Sequence, residues 1–183
     1  MSNYICRSTQ FSTPERDVIN ILVPTSHTFH AGQVIMVKNL VAAGTLAGNH
    51  SVWEAVEAAT ADLGLQAALI INGGDFEQLA DGRRPEGNPD YTSSGYAYNA
   101  GDVAPAIILE LNNEFELSAD VVGGTPTVGQ YLEPADGEAY LQVKASRTSG
   151  VTSALKVLAL KNFRSGGNFG GSFISTYVAR VVA

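Results

Sequence analysis

Cysteine is almost missing from this sequence: Cys6 stands alone among 183 residues. One thiol cannot close an intrachain disulfide, so packing alone is expected to hold the fold, and a reducing compartment suits its synthesis. Charge is also scarce, at 16% of residues, and it leans acidic: 11 Lys and Arg against 18 Asp and Glu leave a formal net charge of −7. A broad nucleic-acid footprint needs clustered cations. The only adjacent basic pair is Arg83–Arg84 and no basic stripe is legible, so no nucleic-acid partner is expected. Long apolar runs are absent too. None approaches the ~20 residues that cross a bilayer as a helix. The opening MSNYICRSTQ has no cationic stretch leading into an apolar core, so neither a membrane partner nor a secretory leader is expected.

What the chain has is hydrophobic residues, at 45%, and 19 glycines. That balance describes one folded, turn-rich domain rather than a disordered segment. Residues 1–16 are polar and Ser/Thr-rich without periodicity, and read as an extended N-terminal arm. Residues 17–183 read as a single β-rich domain. DVINILVP (17–24) alternates Ile19, Ile21 and Val23 against Val18 and Leu22 until Pro24, which has no N–H to give a ladder. GQVIMVKNLV (32–41) and LQAALIIN (65–72) are two further strands. Between them, NHSVWEAVEAATADLG (49–64) reads as the one short α-helix. Ser51 and Glu54 have the spacing of a capping box, Val52, Val56, Ala59 and Leu63 recur at helical spacing, and Gly64 stops it.

A long polar loop follows at 81–101, carrying Tyr91, Tyr96 and Tyr98; tyrosine is favoured at protein interfaces. Beyond it almost everything is strand. AIILEL and EFELSA flank Asn112–Asn113, a pair that tolerates left-handed backbone and predicts a hairpin. VGQYLEP and EAYLQV flank Asp136–Gly137, a stronger form of the same signal. ALKVLALK and FISTYVARVV complete the series. Short strands at regular spacing predict a mainly β protein, an antiparallel barrel or sandwich.

Catalytic and metal-binding patterns are thin. His27 and His30 lie three apart in SHTFH, but no third and fourth ligand stand nearby, so no metal is expected. RSGGNFGGSF has the glycines of a phosphate-cradling loop, yet the residues after it read as a strand where such a loop needs a helix, so no cofactor is expected. Glu110, Glu114, Glu116 and Asp120 cluster around one expected hairpin. In EFEL the acids alternate with Phe115 and Leu117, which reads as a half-solvated strand, not an acid/base pair. With no G-x-S-x-G elbow present, a binding or structural role is expected and an enzyme is not.

The segment from Tyr96 to Val182 has a recognisable order: Tyr98 and Gly101–Asp102, then Glu114–Phe115–Glu116, then Gly129-Gln130-Tyr131-Leu132-Glu133-Pro134 with Asp136–Gly137, then Ala154–Leu155, and finally Ala179 to Val182. In this order the chain resembles the head decoration (capsid cement) proteins of tailed bacteriophages. It departs from them at Gln130, where an acid is usual, at Asn112–Asn113 and in the insert NFRSGGNFGG. The resemblance implies a virion protein, made in the bacterial cytoplasm, that binds the outer surface of the expanded head. Its partners would be the major capsid protein and copies of itself, as a trimer. Contact is expected from the arm, at Ser2, Asn3, Tyr4 and Phe11, and from the loop, at Tyr91, Tyr96 and Tyr98. Two rival readings remain open: a head-fibre, tail or adhesin module binding a host glycan, and a small hydrolase using His27, His30 or His50.

Overall fold

The computed structural model describes residues 6–8, 18–42, 51–59, 61–71, 97–164 and 173–182. In chain order the strands are β1 (Cys6–Ser8), β2 (Val18–Leu22), β3 (Phe29–His30), β4 (Val34–Leu40), β5 (Val52–Val56), β6 (Gln66–Ile70) and β7 (Ala97–Tyr98). They continue as β8 (Val103–Ile108), β9 (Glu114–Ser118), β10 (Val122–Gly123), β11 (Tyr131–Glu133), β12 (Leu141–Lys144), β13 (Ala154–Arg164) and β14 (Phe173–Val182). A short 3-10 turn, Ala119–Val121, separates β9 from β10. The expected mainly β barrel is what these strands build.

Five of them close a barrel in the order β2-β5-β4-β6-β8. Its interior is filled by Ile21, Val23, Ile35, Val37 and Ile70, with small Ala55, Ala68, Ala104 and Ala106 among them. A narrow barrel needs such mixing of large and small inward residues. Phe29 and Tyr98, from the paired strands β3 and β7, are part of the same cluster. Seven strands form the second layer, in the order β1-β9-β14-β13-β11-β12-β10. One face of that sheet, with Phe115, Leu117, Leu132, Leu141, Leu155, Val157, Tyr177 and Ala179, packs on the barrel's outer flank of Val34, Met36, Ala67, Leu69 and Ile107. The two layers thus share one core, and the barrel holds a second core of its own.

Three expectations need correction. The helix over 49–64 does not form: Val52–Val56 is strand β5, which pairs with β2 on one edge and β4 on the other. Trp53 and Ala55 pack with the barrel interior and Val56 with the outer core, a period of two. A spacing of four, as from Val52 to Val56, falls on one face of a strand as well as of a helix. Two open strand edges in the barrel then outweigh the capping box. The Asn112–Asn113 turn closes no hairpin either. Strand β8 already has β2 and β6 on its edges, while β9 lies between β1 and β14. The asparagines instead turn the chain from barrel to sheet, with Asn112 at φ 72. Asn112 N–H donates to Val181 O at 3.0 Å and Val181 N–H to Asn113 O at 2.8 Å. Finally, the sheets are not wholly antiparallel, because β2 and β5, and β10 and β12, run parallel.

Other readings hold. Strands β11 and β12 form the hairpin around Asp136–Gly137, with Gly137 at φ 72. Strands β13 and β14 pair along their length from Ala154↔Val182 to Arg164↔Phe173, with a bulge between Val157 and Ala159. Within the expected arm, Cys6–Ser8 pairs antiparallel with β9.

Gly32, just before β4, packs closely against Val121 of the 3-10 turn. It sits at φ 85, and a Cβ there would lie 2.7 Å from Val121 Cγ1. Gly137 has the same left-handed backbone but nothing within 4 Å of its Cβ position. Gly32→Ala should therefore cost about 2–4 kcal/mol, combining backbone strain with overpacking, and Gly137→Ala only about 1 kcal/mol. Urea denaturation of both variants checks the difference; equal losses would mean that the Val121 contact does not matter.

Candidate functional site

Of the contact residues expected from sequence, Ser2, Asn3, Tyr4, Phe11, Tyr91 and Tyr96 lie outside the described residues. Tyr98 is described, and it is not an exposed contact: it is buried against the barrel core, and its hydroxyl donates to Ile71 O at 3.1 Å. A tyrosine in a two-stranded ribbon beside a barrel mouth finds apolar cover for its ring and a carbonyl for its hydroxyl.

The histidines are engaged separately. His27 lies in the turn after β2, with Ser26 Oγ 3.0 Å from Nδ1 and Glu57 Oε2 3.3 Å from Nε2. Its ring stacks on Phe29 at 5.7 Å. With the proton on Nε2 facing Glu57, Nδ1 accepts from the serine hydroxyl, which is the hydrogen-bond order of a nucleophile, a base and an orienting acid. The His30 backbone N–H donates to Gln33 Oε1. His50 lies outside the described residues, and among the described residues no group of three or more His, Cys, Asp or Glu converges. The glycine-rich 165–172 also lies outside them, while its flanks are the paired ends of β13 and β14.

The half-solvated reading of β9 fails at Glu116. That residue is buried, and Thr176 Oγ1 donates to its Oε1 at 2.7 Å. Glu114 is bound by Arg180, whose Nε donates to Oε1 at 2.7 Å and whose Nη2 reaches the same oxygen.

The surface that stands out lies on the face of the seven-stranded sheet turned away from the barrel. Register places Lys144 opposite Tyr131, Tyr131 opposite Lys156, Lys156 opposite Arg180, and Arg180 opposite Glu114. Directly opposed residues share a face, so one row across five strands reads Lys–Tyr–Lys–Arg–Glu. Arg180 is answered by Glu114. Lys144 and Lys156 are exposed and, like Lys161 further along β13, make no ion pair among the described residues. A basic stripe therefore exists, although no stretch of sequence contains it. Exposed Leu158 lies on β13 between Lys156 and Lys161. Val128 is exposed beside Gly129, whose N–H donates to Val157 O at 2.8 Å.

The stripe has a support beneath it. Strands β12 and β13 both run antiparallel to β11, so residues 145–153 must cross back over β11. Glu133, 0% exposed on β11, accepts from Thr148 N–H at 2.9 Å through Oε1, while Oε2 has no hydrogen-bond partner among the described residues. Thr152 Oγ1 ties the other end of the crossover to Leu63 O and Leu65 O, both at 3.1 Å. Arg147 donates within the crossover to Val151 O.

No protein-family model matches the chain, and no curated protein matches it either.

Glu133→Gln keeps an acceptor for Thr148 and removes a buried charge, so stability should change by less than about 1 kcal/mol. Glu133→Ala removes the acceptor and opens a void, and should cost about 2–4 kcal/mol. Hydrogen exchange at Thr148 should rise in the alanine variant alone; a rise in both would assign the anchor to the charge rather than to the acceptor.

Proposed function

We propose that this chain is a structural protein of a tailed-phage virion. It binds the outer surface of the expanded head and clamps neighbouring major capsid subunits. The reading rests on the resemblance of residues 96–182, and one structural observation supports it above others. The glycines of that pattern stand at left-handed joints between strands: Gly101 at φ 85 before β8, Gly129 at φ 93 before β11, and Gly137 at φ 72 between β11 and β12. Each motif is then a strand–turn joint of one stiff β body, as a docking block requires.

Cementing of this kind works by burial of surface. An interface of about 1,000 Å² is modest by itself. Because it exists only on the assembled lattice, it shifts the stability of that state by linkage. Bridging two or three subunits makes the later contacts intramolecular. The hydrolase reading draws on Ser26, His27 and Glu57: transfer of the serine proton to Nδ1 would free the oxygen to attack an ester. Labelling of Ser26 by a fluorophosphonate, lost in His27→Ala, would favour it over the structural role.

The direct test mixes the protein with expanded heads lacking it and, separately, with unexpanded precursors, then sediments both. Co-sedimentation with expanded heads alone is expected. Binding to neither would end the capsid reading.

A further inference from the structure

Charge is divided unevenly along the chain. All 18 side-chain carboxylates fall between Glu15 and Glu138, and from Ala139 to the last residue there are six cations and no acidic side chain. That second segment supplies β12, β13, β14 and the crossover, so the outer face of their sheet gathers cations. At its centre the register sets Tyr131 between Lys144 and Lys156. Both lysines are exposed, and neither pairs with a carboxylate among the described residues. Tyr131 is half-buried, and no hydrogen bond holds its hydroxyl among the described residues.

The row is a lane with two borders. Residues 145–153 cross the sheet beside it and cover Glu133, whose Oε1 accepts from Thr148 N–H. On the other side Val128 stands 60% exposed, and Gly129 N–H fixes that loop to Val157 O at 2.8 Å. An elongated ligand therefore lies across the strands, along the row. Adjacent strands are about 4.8 Å apart, so the two lysine backbones stand about 10 Å from each other with the tyrosine midway. Lys161 adds a third cation. Lys156 faces Arg180 and Lys161 faces Thr176, an even number of places along β14, so the bulge between Val157 and Ala159 keeps both lysines on one face.

We propose that this row binds a linear acidic polysaccharide carrying a carboxylate on every second sugar. Lys144 and Lys156 meet successive carboxylates, and the sugar between them lays its apolar C–H face on the Tyr131 ring. Carboxylates on alternate sugars repeat at a distance comparable with the lysine spacing, and that match selects the ligand. Denser polyanions fit less well. A nucleic-acid strand brings one phosphate per nucleotide and needs successive aromatic rings for its bases. The row has one ring, and the chain as a whole carries a net charge of −7. An extended acidic peptide repeats its side chains on one face at about 6.8 Å, short of the lysine spacing. The surface is read from register and charge, and it does not depend on the capsid reading.

Bio-layer interferometry of the full chain on immobilised hyaluronan oligosaccharide tests it, at about 50 mM NaCl so that exposed charges are little screened. Binding is expected, with none to neutral dextran. Lys144→Gln and Lys156→Gln together should weaken it about tenfold. Tyr131→Leu, which leaves every charge in place, should weaken it about threefold, while Tyr131→Phe keeps the ring and the affinity. Lys38→Gln removes the same charge from the barrel, where Lys38 pairs with Asp62, and should leave binding unchanged. The proposal is overturned if hyaluronan does not bind, or if the double lysine variant or Tyr131→Leu binds as the wild type does. It is overturned too by a loss in Lys38→Gln equal to that in Lys156→Gln, which would make net charge the only attraction. Tighter binding of polyglutamate or of oligothymidylate would also overturn it, assigning the row to an acidic peptide or to a nucleic acid.

Discussion

The contact between the barrel's outer flank and the inner face of the seven-stranded sheet is the constraint on which the rest depends. A closed five-stranded barrel satisfies its own backbone groups and fills its own interior, but it leaves Val34, Met36, Leu69 and Ile107 pointing outwards. The open sheet has the opposite problem, an apolar face without cover. Each solves the other's exposure. The junction is also stitched by backbone bonds, from Val34 N–H to Ala139 O at 2.8 Å and from Gly137 N–H to Ala58 O at 2.7 Å. With the inner face fixed, the identity of the outer face follows for every strand, because a shift of one residue would exchange the two. The lysine row is thus a consequence of burying Leu132, Leu155 and Ala179.

How much of this was legible in the sequence depends on the range of the interaction involved. Alternation in VINIL, the apolar run in QAALI and the Asp136–Gly137 turn report local geometry, and those elements stand where the residues place them. Val52 to Val56 could not be read the same way. Its apolar spacing suits helix and strand alike, and the deciding factor is the pair of edges offered by β2 and β4, each distant in the chain or set by the final fold. Asn112–Asn113 shows a related limit. Left-handed tolerance announces a turn, but not which strand the chain joins after it. The partners of β9 are β1, about 110 residues back, and β14, some 60 residues on.

The surface was hidden for the same reason. Lys144, Lys156 and Arg180 are spread over 37 positions and become neighbours only through cross-strand register. Scanning for adjacent cations finds Arg83–Arg84 and misses them. Dividing the chain at residue 139 would have exposed the imbalance, since no carboxylate lies beyond it. Glu116 misled in the opposite direction. Alternation with Phe115 and Leu117 suggests solvent on its side, yet the side chain is buried with Thr176, so both faces of β9 are covered.

A row of like charges on adjacent strands is unfavourable in the isolated molecule, because opposed cations a few ångströms apart repel. The fold reduces that cost in two ways. Tyr131 separates Lys144 from Lys156, and Glu114 binds Arg180 at the end of the row. Among the described residues no carboxylate pairs with Lys144 or Lys156. The nearest acid of β11, Glu133, is withdrawn beneath the crossover and spends one oxygen on Thr148. Its Oε1, as a hydrogen-bond acceptor, holds the loop that joins Lys144 to β13.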